Sequence, residues 1–84
     1  MTGQSDAVLV VGGAGYIGAH VCKTLAQVGC RPIVLDNLST GHADFVRWGP
    51  LVQTDITDTS AVRASLAQYN IQTVIDLAAF AEVG

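Results

Sequence analysis

AVLVVGGAGYIG, residues 7–18, sets an unbroken apolar run against four glycines in seven residues. Ala7 to Val11 is β-branched, of strand length and without polar alternation, which is how a strand buried on both faces reads. Glycine weakens a regular helix or strand by roughly 0.5–1 kcal/mol relative to alanine. Gly12, Gly13, Gly15 and Gly18 therefore need a reason. A tight strand-to-helix turn is one, because glycine reaches the torsions such a turn requires. A phosphate group docked on the helix amino terminus is another, because it needs close backbone approach and unobstructed N–H donors. Gly18 would let the helix pack closely on the sheet. The spacing alone leaves the ligand-free turn open.

Outward from this turn, residues 16–28 have helical spacing, with Ile17, Val21, Leu25 and Val28 on one face. Gly29 is a left-handed stop for that helix. Residues 32–35 read as a second strand, with Pro32 tolerated at its first position. Residues 36–41 are a loop by composition, 43–48 one or two helical turns, and Gly49-Pro50 a break. Residues 51–54 form a weak third strand. Asp58 or Thr59 caps a helix running to about Tyr69, with Val62, Leu66 and Tyr69 inward. Residues 73–77 form a fourth strand. This alternation predicts an α/β fold with a doubly wound parallel sheet of strand order 3-2-1-4. That is a partial Rossmann fold, with residues 1–84 as the amino-terminal part of one dinucleotide-binding domain, truncated before the rest of the sheet. In such a sheet Val74 and Ile75 face the helices. The outer edge of the fourth strand stays open, so the chain alone is expected to fold marginally, or to dimerise or aggregate through that edge.

Composition narrows the function classes. Half of the 84 residues are hydrophobic and 13% are charged, too apolar for disorder. No apolar stretch reaches the roughly 18–20 residues of a membrane span. No basic region precedes the first apolar run, so a secretory leader is not expected and a cytoplasmic location is. Net charge is −3, and four Lys and Arg build no patch for nucleic acid. Cys22 and Cys30 fit no metal or redox spacing and read as reduced thiols, so no metal site is expected.

Asp36 ends the second strand, 18 residues beyond Gly18. A carboxylate there can accept hydrogen bonds from both ribose hydroxyls of an adenosine, and it repels a 2′-phosphate, which favours NAD over NADP. Asp55 and Ile56 close the third strand, where they could meet an adenine; an Asp at that point equally caps the next turn. Leu77, Ala78 and Ala79 close the fourth strand beside the switch point of the winding, where small residues admit a cofactor or simply pack helix on sheet.

With these residues in hand, the chain resembles the extended short-chain dehydrogenase/reductase family, in its NAD-dependent epimerase/dehydratase branch. GGAGYIG at 12–18, LDNLSTGH at 35–42, RWGPL at 47–51, TDITD at 54–58 and AAFAEVG at 78–84 carry the resemblance. The DNLSTGH loop is similar to that of the sugar-nucleotide 4-epimerases. The resemblance implies that Gly12, Gly15 and Gly18 face a pyrophosphate, with Tyr16 and Ile17 starting the helix there. It implies that Asp36 holds the adenosine ribose, with Asn37 and the Ser39–Thr40 region at the same end. Asp55 and Ile56 would contact adenine, and Leu77, Ala78 and Ala79 would lie along NAD. Val11, Asp76 and Ala81 depart from the family, which often has Thr, His and Lys at those places.

The activity implied is that of an isomerase of galactose metabolism, interconverting UDP-glucose and UDP-galactose through a 4-keto intermediate. That chemistry needs a Ser/Thr and a Tyr-x-x-x-Lys, the Lys lowering the pKa of the Tyr so that it serves as a base. Tyr16 is followed four residues on by His20, and Tyr69 by Thr73; Lys23 is the sole lysine. No residue of the chain is therefore expected to be catalytic, and the 84 residues alone are expected to be inactive. The nucleotide-sugar partner is expected only of a longer protein. Two alternatives stay open: another epimerase or dehydratase of the superfamily, and a non-catalytic NAD-binding module.

Overall fold

The computed structural model describes residues 6–12, 14–38 and 43–77. Four parallel strands lie in the order β3-β2-β1-β4. They are β1 (Ala7–Val11), β2 (Arg31–Asp36), β3 (Leu51–Gln53) and β4 (Thr73–Asp76). Helix α1 (Tyr16–Gln27) joins β1 to β2, and α2 (Thr59–Gln68) joins β3 to β4; a 3-10 turn, Ala43–Phe45, lies between β2 and β3. Strand order, element types and the Rossmann-like α/β class match the expectation from sequence.

β1 is buried along its whole length. Its side chains alternate between two clusters because successive strand residues face opposite sides. Ala7, Leu9 and Val11 join Ile33 and Leu35, and Val62 and Leu66 of α2, with its C-cap Tyr69, pack against them. Val8 and Val10 join Val34, Ala14 and Cys22, with Val21 and Leu25 of α1 against them. One helix therefore covers each face, as double winding requires.

The inward face of α1 differs from the expected one. Gly18 and Cys22 are its buried residues, with Val21 and Leu25 partly covered, whereas Ile17 is 69% and Val28 70% exposed. Gly18, with no side chain, is buried on the sheet-facing side, and Ile17 beside it in sequence stands on the outer side. Both helices end in the same backbone motif. Gly29 has φ 90° and Asn70 has φ 54°. The N–H of Gly29 donates to Ala26 and that of Cys30 to Leu25; the N–H of Asn70 donates to Ala67 and that of Ile71 to Leu66. These are paired six-to-one and five-to-two closures on a left-handed residue.

β4 is the outer strand, and no described strand pairs with its far side. Ile75 packs against the α1-side cluster, but Val74 is 52% exposed, contrary to the expectation that both face helices. Val74 is in register with Leu9 and so points to the α2 side. There α2 packs on β1 and β2 residues, leaving Val74 half uncovered. Both cysteines are free; burial of Cys22 pushes its thiol pKa above the ordinary value.

Gly49 does more than break a helix. A Cβ built on it would overlap the backbone carbonyl oxygen of Pro32, a buried residue of β2. The next residue, Pro50, accepts the N–H of Val34 at 2.9 Å, which starts the β2–β3 pairing. Gly49→Ala is expected to destabilise the fold by about 1–3 kcal/mol, as forced overpacking does, and a urea unfolding curve measures it.

Candidate functional site

β1 hands the chain to α1 through a turn whose backbone is set from both sides. Gly12 adopts φ 81°, a left-handed torsion that glycine takes at no steric cost. Its N–H donates to the carbonyl of Leu35 at 2.8 Å and carries the β1–β2 ladder one residue past the strand. The Ala14 methyl is wholly buried in the α1-side cluster. Gly13 lies outside the described residues.

Gly15 is the N-cap of α1, with φ −87° and ψ 178°, an extended conformation open to any residue. A Cβ placed on it would meet nothing within 4 Å. Among the described residues, neither torsion nor packing therefore requires glycine here. No side chain caps α1, and no acid stands in its first turn. The first N–H groups of a helix have no intrahelical acceptor, and no side chain among the described residues caps those of α1. α2 is built differently: the Asp58 carboxylate accepts the N–H of Ala61 at 3.1 Å. The start of α1 thus offers N–H donors, the positive end of a helix dipole and no side chain in the way, which suits a phosphate-bearing group. Tyr16 and Ile17 are exposed beside it, and the Tyr16 and His20 rings form a T-shaped pair with centroids 4.7 Å apart.

The carboxyl ends of β2 and β3 meet the same region. Asp36 is partly buried, and both of its oxygens are engaged. Oδ2 accepts the N–H of Ala14 at 3.0 Å, and Oδ1 accepts that of Leu38 at 2.8 Å. Asp55 accepts both the N–H and the hydroxyl of Thr57 on Oδ1, each at 2.9 Å. The Thr57 N–H first, then its hydroxyl, hold the Asp55 carboxyl below its ordinary pKa; slight desolvation opposes them, and a hydrogen bond with the Asn37 side chain adds to them. Asn37 at the end of β2 is thereby joined to Asp55 at the end of β3. The cap reading of Asp55 is realised in this way, and Ile56 beside it is exposed.

The structure thus brings Gly12, Gly15, Tyr16, Ile17, Gly18, Asp36, Asn37, Asp55, Ile56 and Leu77 to the carboxyl ends of the strands. Leu77 follows β4, where its N–H donates to Val11 at 2.8 Å. Ala78 and Ala79, like Ser39 and Thr40, lie outside the described residues. Sequence reasoning missed the N–H donors of Ala14 and Leu38. An Asp that bonds the N–H two residues on is a recognisable turn signal, and Asp36 to Leu38 has that spacing; nothing local announces Ala14.

Comparison with known proteins gives a consistent picture. The model of the NAD dependent epimerase/dehydratase family matches residues 8–84. A UDP-glucose 4-epimerase of Rhizobium leguminosarum bv. trifolii is 51% identical over 79 residues, covering 94% of this chain and 24% of the relative. One from Rhizobium meliloti (strain 1021) is 48% identical over 81 residues, covering 96% and 25%. The crystal structure of UDP-glucose 4-epimerase from Brucella ovis in complex with NAD superposes with TM-score 0.84 at 48% identity, covering 87% of this chain and 22% of that one. The Thermus thermophilus UDP-glucose 4-epimerase complex with NAD gives 0.79 at 35%, covering 84% and 23%. The chain therefore spans about a quarter of the length of the relatives it matches.

The depressed pKa of Asp55 has a signed consequence. Its stabilising bonds to Thr57 are fully present above the pKa of an unfolded-chain aspartate and are lost as pH falls through the lower folded value. The Thr57 amide resonance is expected to move through a transition below the ordinary aspartate range in an NMR pH titration, and Asp55→Asn to abolish that transition.

Proposed function

Since the chain belongs to the NAD dependent epimerase/dehydratase family, we propose that it forms the adenosine and pyrophosphate side of the NAD site of a UDP-glucose 4-epimerase. The observation that carries this reading is Gly15, a glycine that neither its torsions nor packing among the described residues require, at the start of α1, where no described side chain acts as cap. A bound pyrophosphate needs that bare backbone. The matched relatives named UDP-glucose 4-epimerase, and the NAD in the Brucella ovis structure, support the choice of ligand.

In this reading Gly12, Gly15 and the N–H groups at Tyr16, Ile17 and Gly18 take the pyrophosphate. Asp36 takes the ribose hydroxyls. An ionised carboxylate has about four lone-pair positions; backbone N–H groups use one on each oxygen, and one on each remains for a hydroxyl. The same charge disfavours a 2′-phosphate, so NAD is preferred to NADP. Asn37, Asp55 and Ile56 border the adenine, and Leu77, Ala78 and Ala79 flank the cofactor along β4. NAD supplies the hydride acceptor and donor when bound. The chain's residues bind and orient it, while the Tyr-x-x-x-Lys of proton transfer does not occur in these 84 residues. UDP-glucose and UDP-galactose are the substrates of the whole enzyme.

No helix among the described residues is long and apolar enough to cross a membrane. A cytoplasmic setting fits this reading, and a homodimer belongs to it.

Gly15→Asp separates ligand from fold. An Asp at this N-cap is expected to raise stability by a few tenths to about 1 kcal/mol. Its charge beside the pyrophosphate is expected to weaken NAD binding by at least about tenfold, since apposed like charges cost several kcal/mol. Thermal unfolding and NAD titration read the two effects, and unchanged NAD affinity would refute the assignment. The chain of 84 residues supplied with NAD is also expected to interconvert UDP-glucose and UDP-galactose no faster than a buffer blank.

A further inference from the structure

Asp36 stands where two loops meet, and both of its oxygens are in use before any ligand arrives. The bond from Ala14 N–H to Oδ2, 3.0 Å long, crosses 22 positions of sequence and ties the end of β2 to the turn before α1. The bond from Leu38 N–H to Oδ1, 2.8 Å long, closes the loop after β2 on the same carboxylate. Leu38 has φ 63°, a torsion uncommon for a side chain of this kind and one that its surroundings must hold. Ala14 is fixed from two directions, its methyl in the core and its N–H on Asp36. The residue after it is Gly15, the N-cap from which the donors of α1 project.

We infer that Asp36 is a positioning residue for the pyrophosphate-binding turn, in addition to being a ribose contact. Its carboxylate holds the Ala14 N–H and so sets the direction in which Gly15 and the start of α1 meet the phosphates. One side chain then couples the ribose end of the ligand to its pyrophosphate end. This inference rests on the cofactor reading given above. It differs from a contact-only role in one consequence: loss of Asp36 weakens binding even of a ligand that has no ribose hydroxyls. Asparagine does not replace it. An amide has a single oxygen, so whichever way it is turned, one of the two N–H groups meets an NH2 donor.

The test pairs two ligands with two variants in the protein expressed in full. ADP and 2′,3′-dideoxy-ADP are titrated by calorimetry into the unsubstituted protein, Asp36→Ala and Asp36→Asn. Amide hydrogen exchange at Ala14 is followed without ligand, with Leu9 and Val10 of β1 as internal references. Dideoxy-ADP is expected to bind both variants about tenfold more weakly than the unsubstituted protein, the scale of a lost charge-assisted hydrogen bond. Ala14 is expected to exchange about tenfold faster or more in both variants, while Leu9 and Val10 keep their rates. Weaker ADP binding with unchanged dideoxy-ADP affinity would make Asp36 a ribose contact alone and overturn the inference, leaving the cofactor reading intact. Faster exchange at Leu9 and Val10 together with Ala14 would assign the carboxylate to the whole fold and would also overturn it. If the unsubstituted protein binds neither nucleotide, the cofactor reading fails, and with it this role for Asp36.

Discussion

The double pairing of β1 is the constraint on which the rest depends. Five residues are in register with β2 on one side, four of them with β4 on the other, and helices cover both faces. A backbone in that position cannot turn to water for its polar groups, so each must find a strand partner. Val, Leu and Val in succession satisfy such a site because no face needs a polar side chain. Once β1 is central, its carboxyl end becomes the place where the winding reverses. α1 leaves toward one side, and α2 leads back to β4 from the other. The crevice at that point follows from topology before any side chain is considered.

What fills the crevice is mostly backbone, held in place by carboxylates. Asp36 and Asp55 each accept an N–H two residues on, Leu38 and Thr57 respectively. Each thereby stiffens the loop that follows its own strand. Asn37 joins the two through its hydrogen bond with Asp55. Asp36 adds the longer bond to Ala14, so the loops after β1, β2 and β3 form one connected rim. Such pre-organisation lowers the ordering cost at the moment of binding. The uncapped start of α1 runs the other way. It lacks the side-chain cap that Asp58 provides for α2.

Strand order, helix positions and the glycine turn were legible in the sequence because each rests on a local rule. An apolar β-branched run reads as a buried strand, Gly29 reads as a helix stop, and Asp58 reads as a cap. The sequence also pointed to Asp36 and Asp55 as the carboxylates of interest, since each closes a strand. Periodicity alone misjudged the inward face of α1. Ile17 and Val28 carry apolar side chains at helical spacing, yet they stand outside, while Gly18 and Cys22 are the buried residues of the helix.

Tertiary structure alone decided three features, all of which join residues far apart in the chain. Gly49 must be glycine because the carbonyl of Pro32 occupies the space where a Cβ would stand. Val74 is half exposed on the outer strand, while Val62 and Leu66 of α2 pack against β1 and β2 residues. Asp36 receives the N–H of Ala14 because β1 and β2 are in register from Ala7 to Val11, which brings the ends of both strands to one level. The sequence by itself determined which residues form strands, turns and caps, since torsion and hydrophobic period are properties of neighbours. Distances between neighbours-in-space exist only after the sheet has formed, and those distances decide which carboxylate holds which loop.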